Sequence, residues 1–152
     1  MAIHKLRKYV LDTNCFIDAA RGAEARAAFE TFSSLAAPGL YLSAVVAAEL
    51  RAGAGRSLVA LERNVLGPYV RRQRVLAPSA ASWHALGTTL AFLAGSDGMV
   101  LSQVRRSFLF DILIAHSCRE AGAVLVSSNT RDLERIARVF TFDFVEPYPQ
   151  LQ

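Results

Sequence analysis

The feature that most constrains this chain is a repeated alternation of short strand-like runs with longer stretches of helical spacing. The runs fall at 9–11, 40–42, 74–76, 123–126 and 142–145, and "AVLVSS" at 123–128 is the most strand-like. Between the first two, Phe16, Ala20, Ala27, Ala28, Phe32 and Leu35 recur at helical intervals, the spacing of helices that bury one face. A helix cannot fit inside a hairpin turn, so consecutive strands are expected to pair in parallel, with helices covering both faces of the sheet. In such sheets ligands collect beyond the carboxyl ends of the strands.

Turn residues divide the rest. Arg21-Gly22 splits the first helical stretch in two, and Pro38-Gly39 turns the chain into the second strand. Ser43 is placed to cap a helix through "AVVAAELRAG", which Gly53 and Gly55 end. A helix around 58–65 is expected to stop at Gly67-Pro68, and Pro78-Ser79 opens another through Trp83, Leu86, Leu90 and Leu93, with Trp83 read as core. Further helices are expected at 108–121 and 132–138.

Acids interrupt this apolar framework at four places. "YVLDTN" ends a strand in Asp12, Thr13 and Asn14, any of which can cap the helix that follows. Glu49 lies four residues after Val45 and three after Val46, so helical spacing sets its carboxylate along an apolar stripe, unless its stem carries it out to solvent. Asp111 breaks "FLFDILIAHSC", a helix apolar on nearly all sides. The expectation there is a first-turn acid favoured by the helix dipole, or an ion pair with Arg105 or Arg106. In "LVSSNTRDL", Asn129 and Asp132 stand three apart on one face of a helix start. If strand ends and helix starts converge, these carboxylates share one cleft, where repulsion raises their pKa values unless a divalent cation lies among them. Oxygen ligands without His or Cys point to Mg²⁺ or Mn²⁺ rather than zinc.

Composition narrows the alternatives. With 53% hydrophobic residues, 20% charged and 152 in all, the chain is expected to form one domain with a substantial core and apolar surface to spare for another chain. The net charge of +4 suits a polyanionic partner. Basic residues cluster at 4–8, at Arg71-Arg72-Gln73-Arg74 and at Arg105-Arg106, and any of these, Arg105 and Arg106 among them, could track a phosphate backbone. Cys15 and Cys118 lack metal-finger spacing, and His4, His84 and His116 are scattered, so neither a zinc site nor a Ser-His-Asp triad is expected. Acids following the basic start leave no signal-peptide core or membrane span, and the cytoplasm is the expected compartment.

Taken in order, "YVLDTN", "LSAVVAAELRAG", "FDILIAHSCREAGAVLVSSNTRDL" and a last strand leading to Pro147 resemble the PIN domain, and in particular the VapC-type ribonuclease toxins of toxin–antitoxin pairs. The resemblance implies an α/β fold of three layers, α/β/α, around a short five-stranded parallel sheet, spanning 1–152 as a single nuclease domain. It implies an Mg²⁺- or Mn²⁺-dependent endoribonuclease in which Asp12, Glu49, Asp111 and Asp132 are catalytic and hold the metal. Thr13, Asn14, Ser43, Ser127 and Asn129 support that site, Asn129 being the rival for the fourth ligand position. It also implies a homodimer and a small antitoxin partner; the helices near 29–35 and 45–50, which together border the acids, are the faces a partner is expected to cover. Two departures stand out: Ser127-Ser128 replace a common Thr-Arg, and Leu133 replaces a common Phe.

Three rivals are weighed against this reading. One is a non-catalytic RNA-binding or structural module on the same fold, which would gain nothing from acids that repel phosphate. Another is a housekeeping RNA-processing nuclease. A phosphate loop at Gly53-Ala54-Gly55 fails, because that GxG follows a helix instead of joining strand to helix.

Overall fold

The computed structural model describes residues 7–151. Five strands, β1 (Lys8–Leu11), β2 (Leu40–Ser43), β3 (Val75–Leu76), β4 (Ala123–Val126) and β5 (Phe144–Val145), pair in parallel in the order β3-β2-β1-β4-β5. Val10, Leu11 and all four residues of β4 are buried, so both faces of the central strands are covered, as a parallel sheet requires. The architecture is three-layered, α/β/α, as the alternation predicted.

The helices are α1 (Thr13–Arg21), α2 (Ala23–Ala36), α3 (Ala44–Gly53), α4 (Leu58–Leu61), α5 (Gly67–Arg71), α6 (Ala80–Ser96), α7 (Arg106–Ala121) and α8 (Thr130–Ala137). Three of them, α1, α3 and α6, begin at a side-chain cap: Asp12, Ser43 and Ser79. Ser43 Oγ accepts from the Val45 N–H at 3.2 Å, and Ser79 Oγ accepts from the Ser82 N–H at 3.2 Å. Gly122 closes α7 in the left-handed region with φ 66°, which glycine adopts without a Cβ penalty.

From β1 the chain builds outward to β2 and β3, then returns to the far side of β1 to lay down β4 and β5. The strand order therefore reverses between β1 and β4, and the crevice there is the natural ligand position in an open α/β sheet. Asp12 follows β1, and Ser127 follows β4.

Several expectations need correction. Gly67-Pro68 does not end the helix: a wide π turn at Glu62–Leu66 connects α4 to α5. The wider turn accommodates Pro68, which has no N–H to donate and whose ring would crowd an ordinary helical carbonyl. A Cβ on Gly67 would lie 2.6 Å from the Glu62 carbonyl oxygen. Asp111 lies in the second turn of α7, because that helix starts at Arg106, so the dipole does not account for it. α8 starts at Thr130 and β5 at Phe144. Trp83 is 56% exposed rather than core. Residues 4–6 of the first basic cluster lie outside the described residues. Arg74 is used structurally, with its guanidinium on the Ala37 carbonyl at 2.8 Å and over the Tyr41 ring.

Candidate functional site

Asp12 is held at the tip of β1, its own N–H bonded to the Val126 carbonyl at 2.9 Å. Only 3% of it is exposed. Its Oδ1 accepts the Thr13 N–H at 2.8 Å, and its Oδ2 accepts the Ser127 hydroxyl at 2.7 Å and the Asn14 amide at 3.2 Å. Capping is thus one of its roles, and the second oxygen is occupied across the sheet. Burial raises its pKa, and the bonds from Ser127, Thr13 and Asn14 oppose the rise.

Ser127 and Asn14 cross-link the tips of β1 and β4. Fully buried Ser127 also accepts from Asn14 Nδ2 at 2.9 Å and from the Asn129 N–H at 3.1 Å. Asn14 Oδ1 accepts the Ser128 N–H at 3.1 Å. On the other side of Asp12, the Thr13 hydroxyl donates to Glu49 Oε1 at 2.9 Å, bringing α3 to the same crevice. Glu49 is half-buried. Burial and the Asp12 charge raise its pKa, against the Thr13 bond and the Arg106 charge. Ser43 caps α3 and, among the described residues, hydrogen-bonds to none of the acids.

Asp111 is 7% exposed and is pushed up to about 8, by burial first and then by the charges of Asp12, Asp132 and Glu49. The fields of the other three acids thus converge on it. Among the described residues no Lys or Arg forms an ion pair with it; the expected partner Arg105 bonds instead to Asp132, Nη2 to Oδ2 at 3.0 Å. Asp111 has a neutral donor, Asn129 Nδ2 at 2.9 Å, and the same nitrogen donates to Asp132 Oδ2 at 3.1 Å. Asn129, at the cap position of α8, makes no side-chain cap bond to the backbone. It is spent on the two acids.

Among the described residues no three His, Cys, Asp or Glu side chains already stand as ligands around one point. The donor set nevertheless suits a hard divalent cation: carboxylate oxygens from four elements, little solvent, and mutual repulsion that only positive charge relieves.

An apolar groove of about 910 Å³ opens beside these acids. Thr13 and Glu49 border it, and Phe16, Phe29, Leu50, Leu61, Val65 and Tyr69 are among its walls. Ser33, also lining it, holds a buried hydroxyl with no hydrogen-bond partner among the described residues. The sequence pointed to Phe29 and Leu50; it missed Tyr69, because the helix was read as ending before α5, and it did not show that Phe16, Leu61 and Val65 face the same groove. It also missed Arg131 and Arg135 of α8 and Arg138 at its C-terminal cap, whose signal was their spacing.

A model of the PIN domain matches residues 9–139. No curated protein matches the chain. Among solved structures, FitAB bound to the IR36 DNA fragment is similar, with a TM-score of 0.67 and 18% identity over 95% of this chain and 98% of that one. DNA-bound VapBC from Salmonella typhimurium has a TM-score of 0.62 and 27% identity over 93% and 99%. VapBC-1 from nontypeable Haemophilus influenzae has 0.61 and 24% over 91% and 96%.

Proposed function

Because the chain belongs to the PIN domain family, we propose that it is a divalent-metal-dependent endoribonuclease, one nuclease domain across 1–152, and the toxin of a VapBC-type pair. The observation that carries the chemistry is the convergence on Asp111, a nearly buried acid raised to about 8 by its surroundings and by three further acids. A binding groove for phosphate gains nothing from such a cluster.

Asp12 and Asp111 are assigned as the principal ligands of Mg²⁺ or Mn²⁺, with Glu49 and Asp132 as direct or water-bridged partners. When bound, the cation supplies a lowered pKa for the attacking water and neutralises charge on the phosphoryl oxygens. The chain's own residues do the rest. Ser127 and Asn14 fix the orientation of Asp12, and Thr13 fixes Glu49. Asn129 keeps Asp111 and Asp132 facing one another. With water as nucleophile, the products carry a 5′-phosphate and a 3′-hydroxyl.

The partner reading rests on the likeness to VapBC and FitAB and on the groove. An antitoxin segment lying there would cover apolar walls, offer a polar atom to Ser33 and end beside Glu49, where a basic side chain would meet the acids. No helix among the described residues is long and apolar enough to cross a membrane. The cytoplasm is the proposed site of action. Exposed apolar residues such as Leu35, at 66%, leave surface for a homodimer contact.

The test is purified protein on a structured RNA pool with Mn²⁺ or with EDTA, followed by sequencing of the cut ends. Cleavage only with Mn²⁺ and 5′-phosphate ends are expected. Metal-independent cleavage, or ends carrying a 2′,3′-cyclic phosphate, would overturn the reading.

A further inference from the structure

α8 carries charge that the proposed chemistry does not use. Arg131, Arg135 and Arg138 are spaced four and three apart, which sets them on one face of the helix, while Leu133 and Ile136 are fully buried on the other. With Arg105, Asp97, Asn129 and Asp132 they line a concavity of about 720 Å³. One end of this surface is therefore the acid cluster itself, and Arg138 lies about 10 Å further along the helix axis.

Four guanidinium groups face two carboxylates there. Arg105 is bonded to Asp132, and Arg135 Nε lies 2.6 Å from Asp97 Oδ2 with its guanidinium over the Phe108 ring. These two have structural work as clamps. Arg131 and Arg138 are exposed and form no ion pair among the described residues. Exposed Glu134, the remaining acid of the helix, pairs with neither. The helix dipole accounts for Arg138 beside the last turn. It works against Arg131, which stands in the first turn of α8, where the helix end is positive and a cation is disfavoured. A cation in that position, beside an arginine-lined concavity, suits an anion from outside the chain.

We infer that Arg131 and Arg138, with Arg105 held on Asp132 in the same concavity, form a track for the sugar-phosphate backbone of an RNA strand leaving the cleavage site. Guanidinium forks match phosphate oxygens in pairs, and a stripe running from the acids keeps the strand in register with the scissile bond. Naming RNA as the polyanion rests on the nuclease reading.

The test is fluorescence anisotropy of a labelled single-stranded RNA oligonucleotide in EDTA, so that no cleavage occurs, across a range of salt. The double variant Arg131→Gln/Arg138→Gln alters only exposed side chains. Its affinity should fall about tenfold at low salt, and its log K against log salt slope should become shallower by about 1.4, two contacts at about 0.7 each. Arg56→Gln/Arg63→Gln, the same charge loss between β2 and β3 on the other side of the sheet, should stay near the parent. Parent-like affinity in the stripe variant, an equal loss in the Arg56/Arg63 variant, or no binding by the parent each overturns the track. Arg-dependent binding without Mn²⁺-dependent cleavage would instead overturn the nuclease reading and leave the track standing.

Discussion

The Asn129 side-chain amide donates from one nitrogen to Asp111 Oδ2 at 2.9 Å and to Asp132 Oδ2 at 3.1 Å. A neutral donor thus bridges two acids where a cation would relieve more repulsion. The bond holds Asp111's pKa down only in part, since burial and three acids together push it to about 8.

Metal-free stability should therefore fall as pH rises. Asp111's folded pKa lies above its ordinary 3.8, so the folded protein binds the proton more tightly than the unfolded chain does. This contribution is full below about pH 4 and is lost as pH rises through about 8. In EDTA, the parent's Tm should drop between these limits, and Asp111→Asn should flatten the profile and melt higher at the alkaline end. Parallel profiles for the two proteins would show that Asp111 is not strained when ionised.

Asp12→Asn and Asp111→Asn should each lower RNA cleavage at least ~100-fold with the fold intact, as expected when a charged metal ligand becomes a neutral amide. Steady-state cleavage with Mn²⁺ measures this. Either variant retaining about a tenth of the parent rate would remove that residue from the metal assignment.

Calorimetric titration of Mn²⁺ separates the two candidates for the fourth position. Asp132→Asn should weaken binding more than Asn129→Ala, because a carboxylate holds a hard cation or its water more strongly than an amide does. The reverse order would transfer the role to Asn129.

Ser127→Ala should destabilise the protein by ~2 kcal/mol, since it removes a donor to Asp12 and leaves the Asn14 amide and the Asn129 N–H short of an acceptor in a buried place. For a chain of this size the Tm should fall by about 5 °C. An unchanged melt would mean that water replaces the hydroxyl at no cost.

Expression of the parent alone should arrest growth, and Asp12→Asn should abolish the arrest. Light scattering should show a dimer. Harmless high-level expression of a protein that cleaves RNA in vitro would separate the nuclease from the toxin role, and a monomer at high concentration would remove the dimer.

The order of elements, the parallel sheet and the caps at Ser43 and Ser79 were legible in the sequence because they depend on neighbours a few residues apart. Apolar spacing, Gly and Pro positions and hydroxyls at helix starts act locally. The acids were legible as exceptions to that pattern, though Asp111 was placed one turn too early, since an apolar helix does not mark its own first residue. Ser127 with Asp12, Thr13 with Glu49 and Arg105 with Asp132 stand 115, 36 and 27 positions apart, and no local spacing specifies such partners. Only the tertiary structure decided which oxygen each donor reaches, that Arg105 pairs with Asp132 rather than Asp111, and that Trp83 faces solvent. Periodicity determines which face of an element is buried; the crossing of distant elements around the β1–β4 crevice determines what each polar group meets there.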